Sequence, residues 1–363
     1  MNRFIVSSLG VFPRSLCARA ALALLVGSFG CASGTPPHGA PTLAEGTQGP
    51  PYPNMPAIAA IGVRTEKYLD VPVSARAPAL DPAKGYRLQD LGQGLYVVTD
   101  NAYQSMLLVY DRGVVAIDAP PSLAPHLPEA IASLTDKPVT HVIYSHSHAD
   151  HIAGTQALGG HPTIIAHDET LRLLKRAADP KRPLPSVTFA DTYTLQVGDQ
   201  TLELSYHGNA HEPGNIFIHA PAQRVLMVVD VVFPGWMPWR RFALAQDIPA
   251  YFAQVDEIRR MDWSTFVGGH VARTGTHADV DTQAEFMQDL KRAATTALAT
   301  TKFGEGLNPL DGANPWAGFD NYIDRVAGQC VNTLTPKWSP RLGGFDVWVW
   351  DQCFAMEQSL RIE

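Results

Sequence analysis

From Tyr86 onward the chain alternates short apolar blocks with polar turn residues, and block length separates strands from helices. β-type runs fall at Leu95–Thr99, Met106–Tyr110 and Val114–Asp118, the last two joined by Asp111-Arg112-Gly113. A helix is predicted over Leu127–Leu134, stopped by Pro138 and followed by a strand at His141–Ser145. Further strands are expected at Thr163–Ala166, Tyr193–Val197, Leu202–His207, Ile216–His219 and Val225–Val229. Helical spacing occupies 168–178, 248–261 and 277–300. Strand meanders alternating with helices within 86–275 predict an α/β unit of two sheets with helices on their outer faces, and no repeat of fixed period interrupts it. Residues 276–363 then read as a C-terminal helical extension.

Upstream the pattern changes. Residues 1–30 carry Arg3, Arg14 and Arg19, no acid, and the apolar run Ala20–Val26, which reads as an export signal too short to span a bilayer. Ser28-Phe29-Gly30-Cys31 resembles a bacterial lipobox, with Ser28 where Leu is usual. Either Cys31 is lipidated, giving a membrane-anchored lipoprotein, or cleavage near Gly30 or Ala32 gives a periplasmic or secreted product. Residues 31–85, with Pro36-Pro37 and Gly49-Pro50-Pro51, read as a Pro/Gly-rich tether and lead-in.

Composition narrows the function classes. The 363 residues are 45% hydrophobic and 17% charged, which excludes a disordered chain. The formal charge of −7 becomes −10 once the three signal arginines are set aside, which argues against nucleic acid as a partner. Thirteen His stand against four Cys, so a Cys-ligated zinc ribbon is excluded and a His-ligated metal site is not. Cys17 lies in the signal, leaving Cys330 and Cys353 as the interior pair: a disulfide in an oxidising compartment, or two separate buried thiols.

The chemistry concentrates in Tyr144-Ser145-His146-Ser147-His148-Ala149-Asp150-His151, a His-x-His-x-Asp-His placed directly after the buried strand Val142-Ile143-Tyr144. Imidazoles and carboxylates in that spacing suit Zn²⁺ and similar borderline ions, the alternative being a solvated surface loop. Three later residues fit the same site. His211 precedes the turn residues Pro213-Gly214, Asp230 ends the apolar strand Val225–Val229, and His270 follows Gly268-Gly269. His207 is the weaker alternative to His211. His141, His167 and His219 border strands, and His38, His126, His161 and His277 have no supporting context.

This ordered set resembles the metallo-β-lactamase-fold superfamily over about residues 86–275. The resemblance implies a four-layer αβ/βα sandwich with a dinuclear site at one sheet edge. Carried over position by position, His146, His148 and His211 would hold one metal, Asp150, His151 and His270 a second, and Asp230 would bridge them. Two Zn²⁺ are the expected cofactor, with Fe or Mn as alternatives. The bridging Asp230 is similar to glyoxalase-II-like, lactonase-like and phosphodiesterase-like branches, and β-lactamase branches usually lack it. His148 differs from the Glu of the flavodiiron branch, and Phe233 from the Tyr common in acyl-homoserine lactonases.

Two dications about 3.5–4 Å apart lower the pKa of a shared water and supply hydroxide. The expected activity is hydrolysis of a small ester, lactone, thioester or amide, with Asp150 orienting the nucleophile; no Gly-x-Ser-x-Gly elbow suggests a serine route. β-Lactam hydrolysis, a mononuclear-iron oxidoreductase similar to persulfide dioxygenases, and a non-catalytic binding module are the alternatives. Asp118, closing Val114–Ile117, is either the partner of a metal-bound imidazole or a turn cap. Tyr103, Phe233, Trp236, Trp239 and Arg240 are expected around the substrate. Trp338, Trp348, Trp350 and Phe354 are expected to dock the extension.

Overall fold

A computed structural model describes residues 68–305 and 314–363, so the signal, Cys17, Cys31 and most of the tether lie outside the described residues. Seven strands form the first sheet, in chain order: β1 (Arg87–Gly92), β2 (Leu95–Thr99), β3 (Gln104–Tyr110), β4 (Gly113–Ile117), β5 (Val139–Ile143), β6 (Thr163–His167) and β7 (Val187–Phe189). The pairs from β1 to β4 are antiparallel and those from β4 to β7 parallel. Helices α1 (Leu127–Leu134), α2 (Ala149–Ile152) and α3 (Asp168–Ala177) belong to the parallel half. The second sheet is formed by β8 (Thr192–Val197), β9 (Gln200–Tyr206), β10 (Ile216–Ala220), β11 (Val225–Val228) and β12 (Thr265–Val267), ordered β12-β11-β10-β9-β8. Only β11 and β12 pair in parallel within it.

Alternation along the strands builds the layers. Val115, Ile117 and Ile143 enter the cluster between the sheets with Leu204, Ile218 and Met227, while Val114, Ala116 and Val142 face α1 through Leu127 and Ile131. A sheet buried on both faces needs apolar residues at every position, which is why Gly113–Ile117 shows no polar alternation. The second sheet turns Phe217, Leu226 and Val228 outward against α5 (Ile248–Arg260) and the helices α6 (His277–Thr300), α7 (Pro315–Trp338) and α8 (Phe345–Ile362). The result is the expected four-layer αβ/βα sandwich with C-terminal helices. Strands β1, β7 and β12 are additional to the sequence reading; β7 and β12 are three residues each, too short to show a period.

The C-terminal helices are part of this outer layer. Cys330 of α7 and Cys353 of α8 are joined by a disulfide, and Trp338 packs edge-on to Phe286 of α6 at 5.3 Å. Residues 69–76, inside the stretch read as a lead-in, are fastened to the body. Leu69 N donates to Asp346, and Arg273 donates to the Ser74 carbonyl. Between β11 and α5, the single turn α4 (Arg240–Leu244) is wound left-handed, with φ of 53° to 59° at Arg241, Phe242, Ala243 and Leu244.

Candidate metal centre

Each donor sits where a strand or turn ends. Beyond β5 the chain runs through His146 to His148, which caps α2 in an extended conformation, and α2 then carries Asp150 and His151. His211 lies in the β9–β10 connection, Asp230 follows β11, and His270 follows β12. The seven residues fall into two groups: His146, His148, His211 and Asp230, and Asp150, His151 and His270.

Asp230 stands between the groups. Its Oδ2 is 3.5 Å from His146 Nε2, 3.3 Å from His211 Nε2 and 3.2 Å from His151 Nε2, and its Oδ1 is 3.2 Å from His270 Nε2. Asp150 Oδ2 lies 3.7 Å from both His151 and His270. Asp230 adopts φ of 64°, a left-handed backbone uncommon outside glycine, which turns its carboxylate into the cluster.

Outer residues fix the imidazoles. Ser145 donates its N–H and its hydroxyl to Asp118 at 2.8 and 2.6 Å. With the hydroxyl proton so used, His146 Nδ1, 2.9 Å from Ser145 Oγ, is the donor there, which leaves Nε2 with its lone pair facing Asp230. Asp118 thus holds the loop and reaches His146 through one serine; it also lies 4.0 Å from His151 Nδ1.

Sequence reading missed Glu212 and Gln104. Buried Glu212 accepts from Ser147 N and Oγ at 3.0 and 2.8 Å and lies 3.4 Å from His148 Nε2, so His148 turns Nδ1 toward His211, 3.2 Å away. Its position beside His211 was the available signal. Gln104 Oε1 accepts from Gly268 and Gly269 N–H, each at 3.2 Å, and its amide donates to Val271 O, bracketing His270. A Cβ on Gly269 would lie 2.6 Å from Val229, so this glycine serves packing of the loop on β11.

Electrostatics favour a cation. Burial would lower His151, but Asp230, Asp118 and Asp150 beside it win and push it up to about 9, so an entering dication displaces a proton. Burial, with three neighbouring imidazoles, holds His146 well below its usual value and therefore neutral, the form that ligates. Its Nε2 is buried and has no hydrogen-bond partner. That orphaned nitrogen, with a donor set of five imidazoles and two carboxylates, fits Zn²⁺ or a similar ion.

A cavity of about 770 Å³ opens on the donors. Tyr103, Phe233, Trp236 and Trp239 line it, and the Tyr103 hydroxyl donates to Asp150 Oδ2 at 3.3 Å. Burial, with Asp150 beside it, pushes Tyr103 up to about 12 and keeps it a proton donor. One expectation is corrected and one extended. Arg240 is not in the lining: its guanidinium is 3.2 Å from Asp351 and 5.6 Å from the Trp348 ring. Trp348, expected to dock the extension, packs against the outer core and also lines the cavity with Val347, so the C-terminal helix supplies part of the wall.

The model of the metallo-beta-lactamase superfamily matches residues 99–293, a span that holds all seven donors. The chain belongs to this superfamily. Among its metallo-beta-lactamase relatives, the type 2 enzyme of Bacillus cereus is 29% identical over 153 residues, 38% of this chain and 57% of that enzyme. The 2,4-dinitroanisole O-demethylase subunit alpha of Nocardioides sp. (strain JS1661) is 23% identical over 261 residues, 70% of this chain and 74% of its own length. A solved metallo-beta-lactamase from Pontibacter korlensis is 18% identical at a TM-score of 0.48, covering 56% of this chain and 99% of that one.

Proposed function

We propose that the protein is a dinuclear metal hydrolase that cleaves a small ester, lactone, thioester or amide. One observation carries the reading: a single carboxylate, Asp230, lies within 3.5 Å of imidazole nitrogens from both donor groups, where a bridging ligand belongs. His146, His148 and His211 would hold one Zn²⁺, and Asp150, His151 and His270 the other. Bound there, such a pair supplies a water acidic enough to attack at neutral pH and a Lewis acid for the scissile carbonyl. The protein's part is orientation. Asp150 is placed to accept the attacking water's proton, and the Tyr103 hydroxyl that holds it can donate to an oxygen gaining charge. The export signal read at residues 1–30 supports an envelope location for this activity.

Elemental analysis should return about two zinc ions per chain. Wild type should then hydrolyse at least one member of a panel of lactones, thioesters, aryl esters and β-lactams, with chelator and His148→Ala each abolishing turnover. One iron and no zinc per chain, or no metal-dependent hydrolysis of any member, overturns the reading. A second reading, cleavage of a methyl aryl ether at the same site, is supported by the likeness to the dinitroanisole O-demethylase subunit over 70% of this chain. Methanol release from 2,4-dinitroanisole distinguishes it.

A further inference from the structure

We infer that the site selects an uncharged substrate bearing an aromatic ring, with Trp348 of the C-terminal helix as the residue that sorts it; the inference rests on the hydrolytic reading above. The cavity lining is of two unlike kinds. Donor residues and Tyr103 form one; Phe233, Trp236, Met237, Trp239, Leu244 and Trp348 form the other. Among the described residues lining it there is no Lys or Arg. The two cations of the adjoining segment both pair with Asp351, Arg240 at 3.2 Å and Arg241 at 3.6 Å; Arg241 also lies over the Phe354 ring at 4.8 Å, and Arg240 lies 5.6 Å from the Trp348 ring, behind the lining. A charge on the substrate, remote from the metals, would lose water against this wall and find no Lys or Arg in the lining to pair with.

The wall also presents faces of the right kind. Trp239 and Leu244 keep 46% and 47% of their surface exposed here, unusual for large apolar side chains in a domain that buries most of its own. The Trp239 and Trp348 rings meet edge-on, 6.3 Å apart at 79°, so one flat ring can stack on one of them while its edge meets the other. For a phenyl ester the balance is simple. The water oxygen bonds to the acyl carbon, the acyl C–O bond breaks, and the phenol departs with one of the water's protons.

The test compares zinc-loaded wild type with Trp348→Ala and Trp348→Phe on phenyl acetate, its carboxylated counterpart 4-acetoxybenzoate, and ethyl acetate. Binding of the inert ketones acetophenone and 4-acetylbenzoate is measured in parallel by tryptophan fluorescence. Phenyl acetate should exceed 4-acetoxybenzoate in kcat/KM by about tenfold or more, and acetophenone should bind more tightly than 4-acetylbenzoate. Trp348→Ala should lose about tenfold on phenyl acetate through KM and far less on ethyl acetate, while Trp348→Phe restores most of the loss. Hydrolysis without preference between the two aryl esters, or a Trp348→Ala variant unchanged on phenyl acetate, overturns the inference and leaves the hydrolytic reading intact. Selective, Trp348-dependent ketone binding without hydrolysis of any ester overturns that reading and leaves the selectivity standing. Neither binding nor hydrolysis overturns both.

Discussion

Gln352 of α8 grips the main chain at Phe242: its amide oxygen accepts the Phe242 N–H at 2.8 Å, and its nitrogen donates to the Pro238 and Trp239 carbonyls at 2.6 and 3.1 Å. Left-handed backbone costs about 1–2 kcal/mol per ordinary residue, so the turn over Arg241–Leu244 persists only because something outside it holds it. Gln352 and the buried Phe242 ring, 5.4 Å from Tyr251, are that hold. Gln352→Leu keeps the volume and strands two polar groups, the Phe242 N–H and the Pro238 carbonyl, while the Trp239 carbonyl keeps the Ala243 N–H. We expect a loss of about 1–3 kcal/mol in chemical denaturation. KM should rise severalfold at nearly constant kcat, since the turn carries Leu244 into the cavity and touches no donor. An unchanged KM would show that the wall holds its shape without this clamp.

Glu212 is expected to matter for metal retention. Glu212→Gln preserves the size of the side chain but removes the negative charge 3.4 Å from His148 Nε2. Competition with a chelator should show zinc affinity about 10–100-fold weaker, with the fold intact by circular dichroism. Equal affinity in the two proteins would reduce Glu212 to a loop brace acting on Ser147 alone.

A pH-dependent effect is expected at Asp279, which completes the capping box of α6 with Thr276 and receives two bonds from Arg273, at 2.6 and 3.0 Å. Burial raises this carboxyl, but Arg273 and the Thr276 N–H outweigh it and hold it below its usual value of 3.8. A depressed carboxylate adds stability that is full above the unfolded value and is lost as pH falls through the folded one. Asp279→Asn should therefore cost about 1–2 kcal/mol at pH 7, and the gap to wild type should shrink as pH falls below 3.8. A gap that stays constant down to pH 3 would remove ionisation from the explanation.

The Cys330–Cys353 bridge spans 23 residues, and opening it in the Cys330→Ser/Cys353→Ser pair should cost about 3 kcal/mol. Because Cys353 adjoins Gln352, the same variant should also raise KM. Thermal melts with and without reductant check the first effect, steady-state kinetics the second.

What could be read from the sequence was what is local. His-x-His-x-Asp-His follows its strand within eight residues, and Asp230 directly follows an apolar run, so spacing alone marked them. Glu212 acts on Ser147 65 residues earlier, and Gln104 acts on Gly268 164 residues later; neither partner is visible from its own neighbourhood. The second role of Trp348, in the cavity wall, was hidden for the same reason. An aromatic on a terminal helix looks like packing until the fold sets that helix beside the donors. Arg240 failed differently: an arginine in a loop near the site offers its charge to a substrate only if no carboxylate takes it first, and Asp351 does.

Every donor lies at or before His270, whereas one of the three tryptophans lining the cavity arrives at position 348. Part of the wall is therefore written apart from the donors, although the rest of it lies among them. Exchanging the last helix for another would alter the cavity lining without removing a single metal donor.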